Sequence, residues 1–125
     1  MIEKIRLHAT GELHEDYLPN LGKGFDHSCC LFLSINYEKF AAAVLTGLSD
    51  EALWSWIMQH GKIPSEEEIT VWNAFMIKWG WRDEGIFLLA RRLKEGGFEQ
   101  RADIQTMFDY MDLDEGRLLR TPPYQ

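Results

Sequence analysis

The chain has only two cysteines, and they are neighbours, Cys29-Cys30. Adjacent thiols cannot build an ordinary disulfide framework, so the fold must hold without cross-links, as suits a reducing compartment. Long apolar runs are missing too: no stretch approaches the roughly 20 residues needed to span a bilayer. The opening residues, Met1-Ile2-Glu3-Lys4-Ile5-Arg6, lead into no hydrophobic signal core, and the expected location is the cytoplasm. Basic residues are in deficit, 13 against 20 acidic, which gives a formal charge of −7 and a pI near 5.0. That field repels phosphate backbones and anionic lipid, so neither nucleic acid nor membrane is an expected partner without a local basic patch. Arg91, Arg92 and Lys94 come nearest to one. They share their segment with Glu84 and Glu95 and have no interleaved aromatics, which reads as a solvated helix face.

What is present is aromatic: seven Phe, five Trp and four Tyr in 125 residues. Each buries about 150–250 Å² when internal, so holding helices together can absorb this content without any ligand. With 46% apolar and 26% charged residues, the composition is that of one ordinary globular domain, 1–125.

Glycines and capping residues divide that domain into helices. Asp26 is the expected N-cap of a helix to about Leu33. Asn36 caps the next, with Tyr37, Phe40, Ala41, Val44 and Leu45 on one face, Ile35 stapled to Phe40, and Gly47 as stop. Ser49 caps a third, with Leu53, Trp56, Ile57 and His60 aligned, Leu48 stapled to Leu53, and Gly61 at its end. Ser65-Glu66-Glu67-Glu68 reads as a capping box for a helix carrying Ile69, Trp72, Phe75, Met76 and Trp79 inward. Asp83 is the expected cap of a helix bearing Ile86, Leu89, Ala90 and Leu93 and closed by Gly96-Gly97. Asp103 starts the last, with Ile104, Met107, Phe108 and Met111 at helical spacing. No stretch alternates long enough to be a strand. The expectation is an all-α fold of five or six short helices, with an irregular N-terminal arm over 1–25 and a surface tail over 117–125. The arm holds at most one short helix, because Pro19 and Gly22-Lys23-Gly24 interrupt it.

The densest signal is Trp72-Asn73-Ala74-Phe75-Met76-Ile77-Lys78-Trp79-Gly80-Trp81-Arg82-Asp83, which holds three of the five tryptophans. Trp72 and Trp79 lie two helical turns apart and share a face, and Gly80 can take the left-handed conformation that ends a helix. Trp81 then enters a turn beside a guanidinium and a carboxylate, a combination suited to recognition. Trp54 and Trp56 sit about 200° apart around their helix. If Trp56 faces the core, Trp54 and Met58 fall on a flank. Trp54, Trp72, Trp81, Arg82 and Asp83 are therefore the candidate interaction or ligand surface.

Other chemistry fits less well. His27, Cys29 and Cys30 share a first helical turn, where a thiol can be activated, but Asp26 opposes that and buried cysteine is usually a small hydrophobe. His8, His14, His27, His60 and the cysteine pair lack the repeated close spacing of a zinc site. Asp109, Asp112, Asp114, Glu115 and Gly116 suggest calcium, yet a loop begun at Asp112 puts Gly116 at position 5 and Pro123 at position 12. Gly22-Lys23-Gly24 has neither the Walker nor the dinucleotide spacing. No catalytic residue, metal or cofactor is assigned.

Gly22-Lys23-Gly24-Phe25-Asp26, Cys29-Cys30-x-Phe32-Leu33, Tyr37, Ser49-Asp50-Glu51, Trp56 and Pro64-Ser65-Glu66-Glu67-Glu68-Ile69 resemble an uncharacterised bacterial family, domain of unknown function 5069. Trp72-Asn73-Ala74-Phe75-Met76…Gly80-Trp81-Arg82-Asp83 is the most specific stretch. Asp103-Ile104-Gln105-Thr106 and Asp112-x-Asp114-Glu115-Gly116 extend the likeness, which runs from about Thr10 to Leu118. Trp79 departs from the pattern, where a basic residue is commoner. The resemblance implies a small bacterial domain and supplies no reaction. The expected function is a non-enzymatic interaction or accessory domain, presenting a tryptophan-rich surface to a second copy or another protein. The alternative is a small-molecule binder or enzyme with a cleft around Trp72, Trp79 and Trp81, Arg82 holding an anionic group and Asp83 or Glu68 acting as acid or base.

Overall fold

Seven α-helices account for most of the described chain, which in this computed structural model comprises residues 1–117. The expected surface tail, apart from its first residue, lies outside them. The helices are α1 (Ile2–Ala9), α2 (Phe25–Leu33), α3 (Tyr37–Leu45), α4 (Asp50–His60), α5 (Glu66–Lys78), α6 (Ile86–Glu95) and α7 (Met107–Asp114), with a 3₁₀ turn at Glu15–Asn20. No strand occurs among the described residues. The all-α expectation holds, and the count is larger than five or six. The difference is α1, which occupies the segment read as an irregular arm.

Contacts divide the chain into two compact units, Met1–Ser65 and Glu66–Gln125, the second described over 66–117. In the first unit Ile5, Leu33, Phe40, Ala43, Val44, Leu53 and Ile57 form the core, with Phe40 and Leu53 fully sealed. Local signals set α3 and α4 as expected. The Asn36 side chain accepts from the Lys39 N–H at 2.9 Å, and Ser49 Oγ accepts from Ala52 at 3.2 Å. Ile35 and Leu48, each just ahead of a cap, pack against the cluster containing Phe40 and Leu53. Gly47 takes φ +86° to end α3. Gly61 ends α4 for a different reason: its φ of −128° is extended, and a Cβ there would collide with the Leu33 carbonyl oxygen.

α1 has no side-chain cap, and only Ile5 is buried from it. A helix of eight residues is not stable alone, so tertiary contacts must hold it. They include the burial of Ile5, an ion pair from Lys4 Nζ to Asp26 Oδ2 at 2.7 Å, and an Arg6 guanidinium that donates to the Leu48 carbonyl and to Asp50, each at 3.1 Å. This corrects the reading of Asp26 as a cap. Gly24, at φ +59°, is the N-cap of α2, and the Asp26 carboxylate turns inward to Lys4 and the Gly22 N–H at 3.3 Å. Gly22 itself cannot carry a side chain, since a Cβ would meet the Tyr37 ring at 2.7 Å.

The second unit has a thin interior, with Leu89, Ile104 and Met107 as its buried apolar side chains. α7 packs against both α5 and α6. Its start is Thr106 in a capping box with Asp109, not Asp103, which pairs on the surface with Arg101 at 2.8 Å. Three of the four acidic groups on and after α7 are accounted for: Asp109 caps, and Arg117 bonds both the buried Asp112, at 2.7 Å, and Glu115.

Candidate association surface

α5 is thirteen residues long, carries Ile69, Val71, Trp72, Phe75, Met76 and Ile77, and buries none of them. Trp72, Met76, Ile77 and Trp79 are half-covered, while Ile69, Val71 and Phe75 are exposed. Trp72 and Trp79 do share a side, bridged by Phe75 with ring centroids 6.1 and 5.5 Å apart. The inward assignment fails for Ile69 and Phe75, because the unit offers too little core to cover so wide an apolar arc.

The helix ends as its sequence requires. Gly80 takes φ +99°, the Trp81 N–H donates to the Lys78 carbonyl at 2.9 Å, and the chain turns. Gly85, where the turn closes, cannot carry a side chain: a Cβ there would lie 2.7 Å from the Trp79 indole. Asp83 holds the turn rather than capping α6, a second correction. Its carboxylate accepts from the Gly80 N–H at 3.0 Å and the Gly85 N–H at 2.9 Å, while Gly85 is the N-cap of α6 and no side chain caps it. The Met107 N–H donates to the Trp79 carbonyl at 2.8 Å, tying the turn to α7.

This clamp presents two groups. Trp81 is 45% exposed, and the Arg82 guanidinium carbon lies 4.8 Å from its ring centroid. Arg82 sits at φ +55°, a conformation that costs a non-glycine residue about 1–2 kcal/mol. A cation over an exposed ring returns only about 0.5–1 kcal/mol. Arg82 is therefore held in place by the Asp83 clamp on its far side more than by its stacking.

Of the five sequence candidates, Trp72, Trp81, Arg82 and Asp83 fall in the second unit and Trp54 in the first. Trp54 is exposed on α4, and Trp56 on the other side packs on Phe40 at 5.6 Å and stacks with His60 at 4.1 Å. Sequence reasoning missed Val71 and Phe87, exposed at 69% and 80%. A signal for them existed. Val71 lies outside the inward list for its helix, and Phe87 lies off the α6 face drawn through Leu89 and Leu93. The basic residues on α6 behave as anticipated, with Arg92 and Arg91 pairing with Glu95 at 3.2 and 3.8 Å.

Burial governs the thiols. It pushes Cys30 up to about 11, with Cys29 and Asp26 adding to the rise, and it raises Cys29 as well. Cys30 Sγ lies 3.6 Å from the Met1 sulfur, a weak hydrogen-bond distance. Protonated thiols are poor nucleophiles and poor ligands. No group of three metal-binding side chains occurs among the described residues, nor any single helix long and apolar enough to cross a membrane. A groove of about 700 Å³ in the first unit is lined mainly by apolar side chains, and its Arg6 and Asp50 pair with each other at 3.1 Å.

The family described as Domain of unknown function (DUF5069) matches residues 1–117. The chain belongs to this family. That confirms the likeness drawn from the Trp72–Asp83 segment and carries no activity with it. No curated protein and no solved structure matches the chain.

Proposed function

We propose that this member of the DUF5069 family is a non-enzymatic association module of the bacterial cytoplasm. Its second unit would meet a second copy or another protein through α5 and the Trp81–Arg82 turn. One observation carries the reading: α5 places apolar side chains around most of its circumference and buries none of them. A water-soluble unit gains nothing from exposing Val71, Phe75, Trp81, Ile86 and Phe87 together, whereas a partner surface requires it. Trp and Arg side by side on a rigid turn is also the composition of an interaction hot spot.

An enzymatic reading needs a free acid or base beside Arg82. Asp83 already accepts two backbone N–H groups. A thermal-shift panel of metabolites and metal ions separates the two readings. A ligand at a hundred times its Kd adds about 2.7 kcal/mol of stability. For a unit of this size that raises Tm by on the order of 10–20 °C. The association reading expects no member of the panel to do so. A large shift that also shields Trp81 from acrylamide would end it.

A further inference from the structure

The exposed side of α5 is self-complementary. Helical positions Glu67, Val71, Ala74 and Lys78 are all exposed, and their spacing of four, three and four residues puts them on one stripe. The stripe reads the same in both directions about its centre, with small apolar residues inside and opposite charges at its ends. Phe75 flanks it, also exposed. Neither Glu67 nor Lys78 forms a side-chain hydrogen bond or ion pair among the described residues. We infer that α5 pairs antiparallel with α5 of a second copy across a two-fold axis near the middle of the helix, setting Glu67 of each copy against Lys78 of the other and Val71 against Ala74.

Three physical points favour this occupant. A two-fold interface repeats each contact twice, so one Glu–Lys match becomes two. Ala74 lets the backbones approach closely beside the larger Val71. Antiparallel helices also align their dipoles favourably, while a parallel pair would bring Glu66, Glu67 and Glu68 of both copies together. One helix about 20 Å long per copy makes a small interface, which sets the expected affinity in the micromolar range. The inference rests on the association reading above and specifies its partner and geometry.

The test is sedimentation of the full chain and four derived samples at micromolar concentration. Those samples are Glu67→Lys, Lys78→Glu, an equimolar mixture of the two, and the double variant. The wild type is expected to dimerise, and each single variant to associate at least tenfold more weakly with unchanged helical circular dichroism. The mixture must recover a dimer, because one copy then carries two lysines and the other two glutamates. The double variant must recover as well, since every pair is merely reversed. A wild type that stays monomeric overturns the inference. So does a dimer indifferent to all the swaps, although the association reading then stands and Trp81→Ala locates the contact. Failure of the association reading itself is seen separately, in the ligand panel.

Discussion

Removing Lys4 should damage the first unit more than neutralising its partner Asp26, although the two form one ion pair. The Asp26 side chain is 5% exposed and that of Lys4 is 25% exposed, with 2.7 Å between the charges. In Lys4→Met the carboxylate stays buried with the Gly22 N–H, at 3.3 Å, as its remaining hydrogen bond. Stranding a buried charge costs about 3–5 kcal/mol, and the partial solvation of this pair lowers the expectation to about 2–4 kcal/mol. Asp26→Asn leaves a neutral amide that can still accept from Gly22, and Lys4 can extend into water. Its expected cost is about 1–2 kcal/mol. The double variant Lys4→Met/Asp26→Asn should cost less than the sum of the two, because no charge is left buried. Urea unfolding followed by circular dichroism reads all three. With a slope of about 2 kcal/mol per M, Lys4→Met should lower the midpoint by roughly 1–2 M. A loss under about 0.5 kcal/mol for Lys4→Met, or one no larger than that of Asp26→Asn, would refute the view that this pair fastens α1.

Other perturbations probe different parts of the chain. Gly61→Ala drives a methyl group into the Leu33 carbonyl and the Ile35 side chain, and should cost about 3 kcal/mol in urea unfolding; a neutral outcome would contradict the close approach. Asp83→Ala leaves the Gly80 and Gly85 N–H groups without their acceptor, and a loss of about 2–3 kcal/mol with increased quenching of Trp81 is expected. Unchanged quenching would show that the carboxylate does not hold the turn. Alkaline pH should weaken the first unit through Cys30. Its folded value of about 11 exceeds the ordinary 9.0, so its contribution is complete below pH 9 and lost as pH rises toward 11. Urea midpoints across that range should fall more steeply in the wild type than in Cys30→Ala, and parallel slopes would refute the assignment.

The sequence was most legible where structure is set locally. Asn36, Ser49, Gly47 and Gly80 each act within a few residues of themselves, and each behaves as read. The aspartates were misread for a common reason. Asp26, Asp83 and Asp103 stand where caps stand, but each carboxylate found another partner: a lysine, a pair of turn N–H groups and an arginine. A cap is worth about 1 kcal/mol, which the buried pairing of Asp26 and the two N–H groups on Asp83 outbid. Asp103 simply lies three residues ahead of Thr106, the residue that caps α7. α1 was illegible because its stability comes from Asp26 and from the core residues that meet Ile5, far along the chain. At the candidate site, the Trp81–Arg82 turn could be read from Gly80 and its neighbours. The exposure of Ile69 and Phe75 could not, because periodicity marks an apolar face without saying whether the fold has anything to cover it.

Amide hydrogen exchange across Glu66–Lys78, in dilute and in concentrated solution, tests the role of α5 most directly. Slower exchange over this helix at high concentration, with α3 and α4 unaffected, is the outcome expected of a helix that is completed by a second copy. Identical exchange at both concentrations would mean that its apolar side chains face water for some other reason, and the account of this chain as a self-associating module would fall.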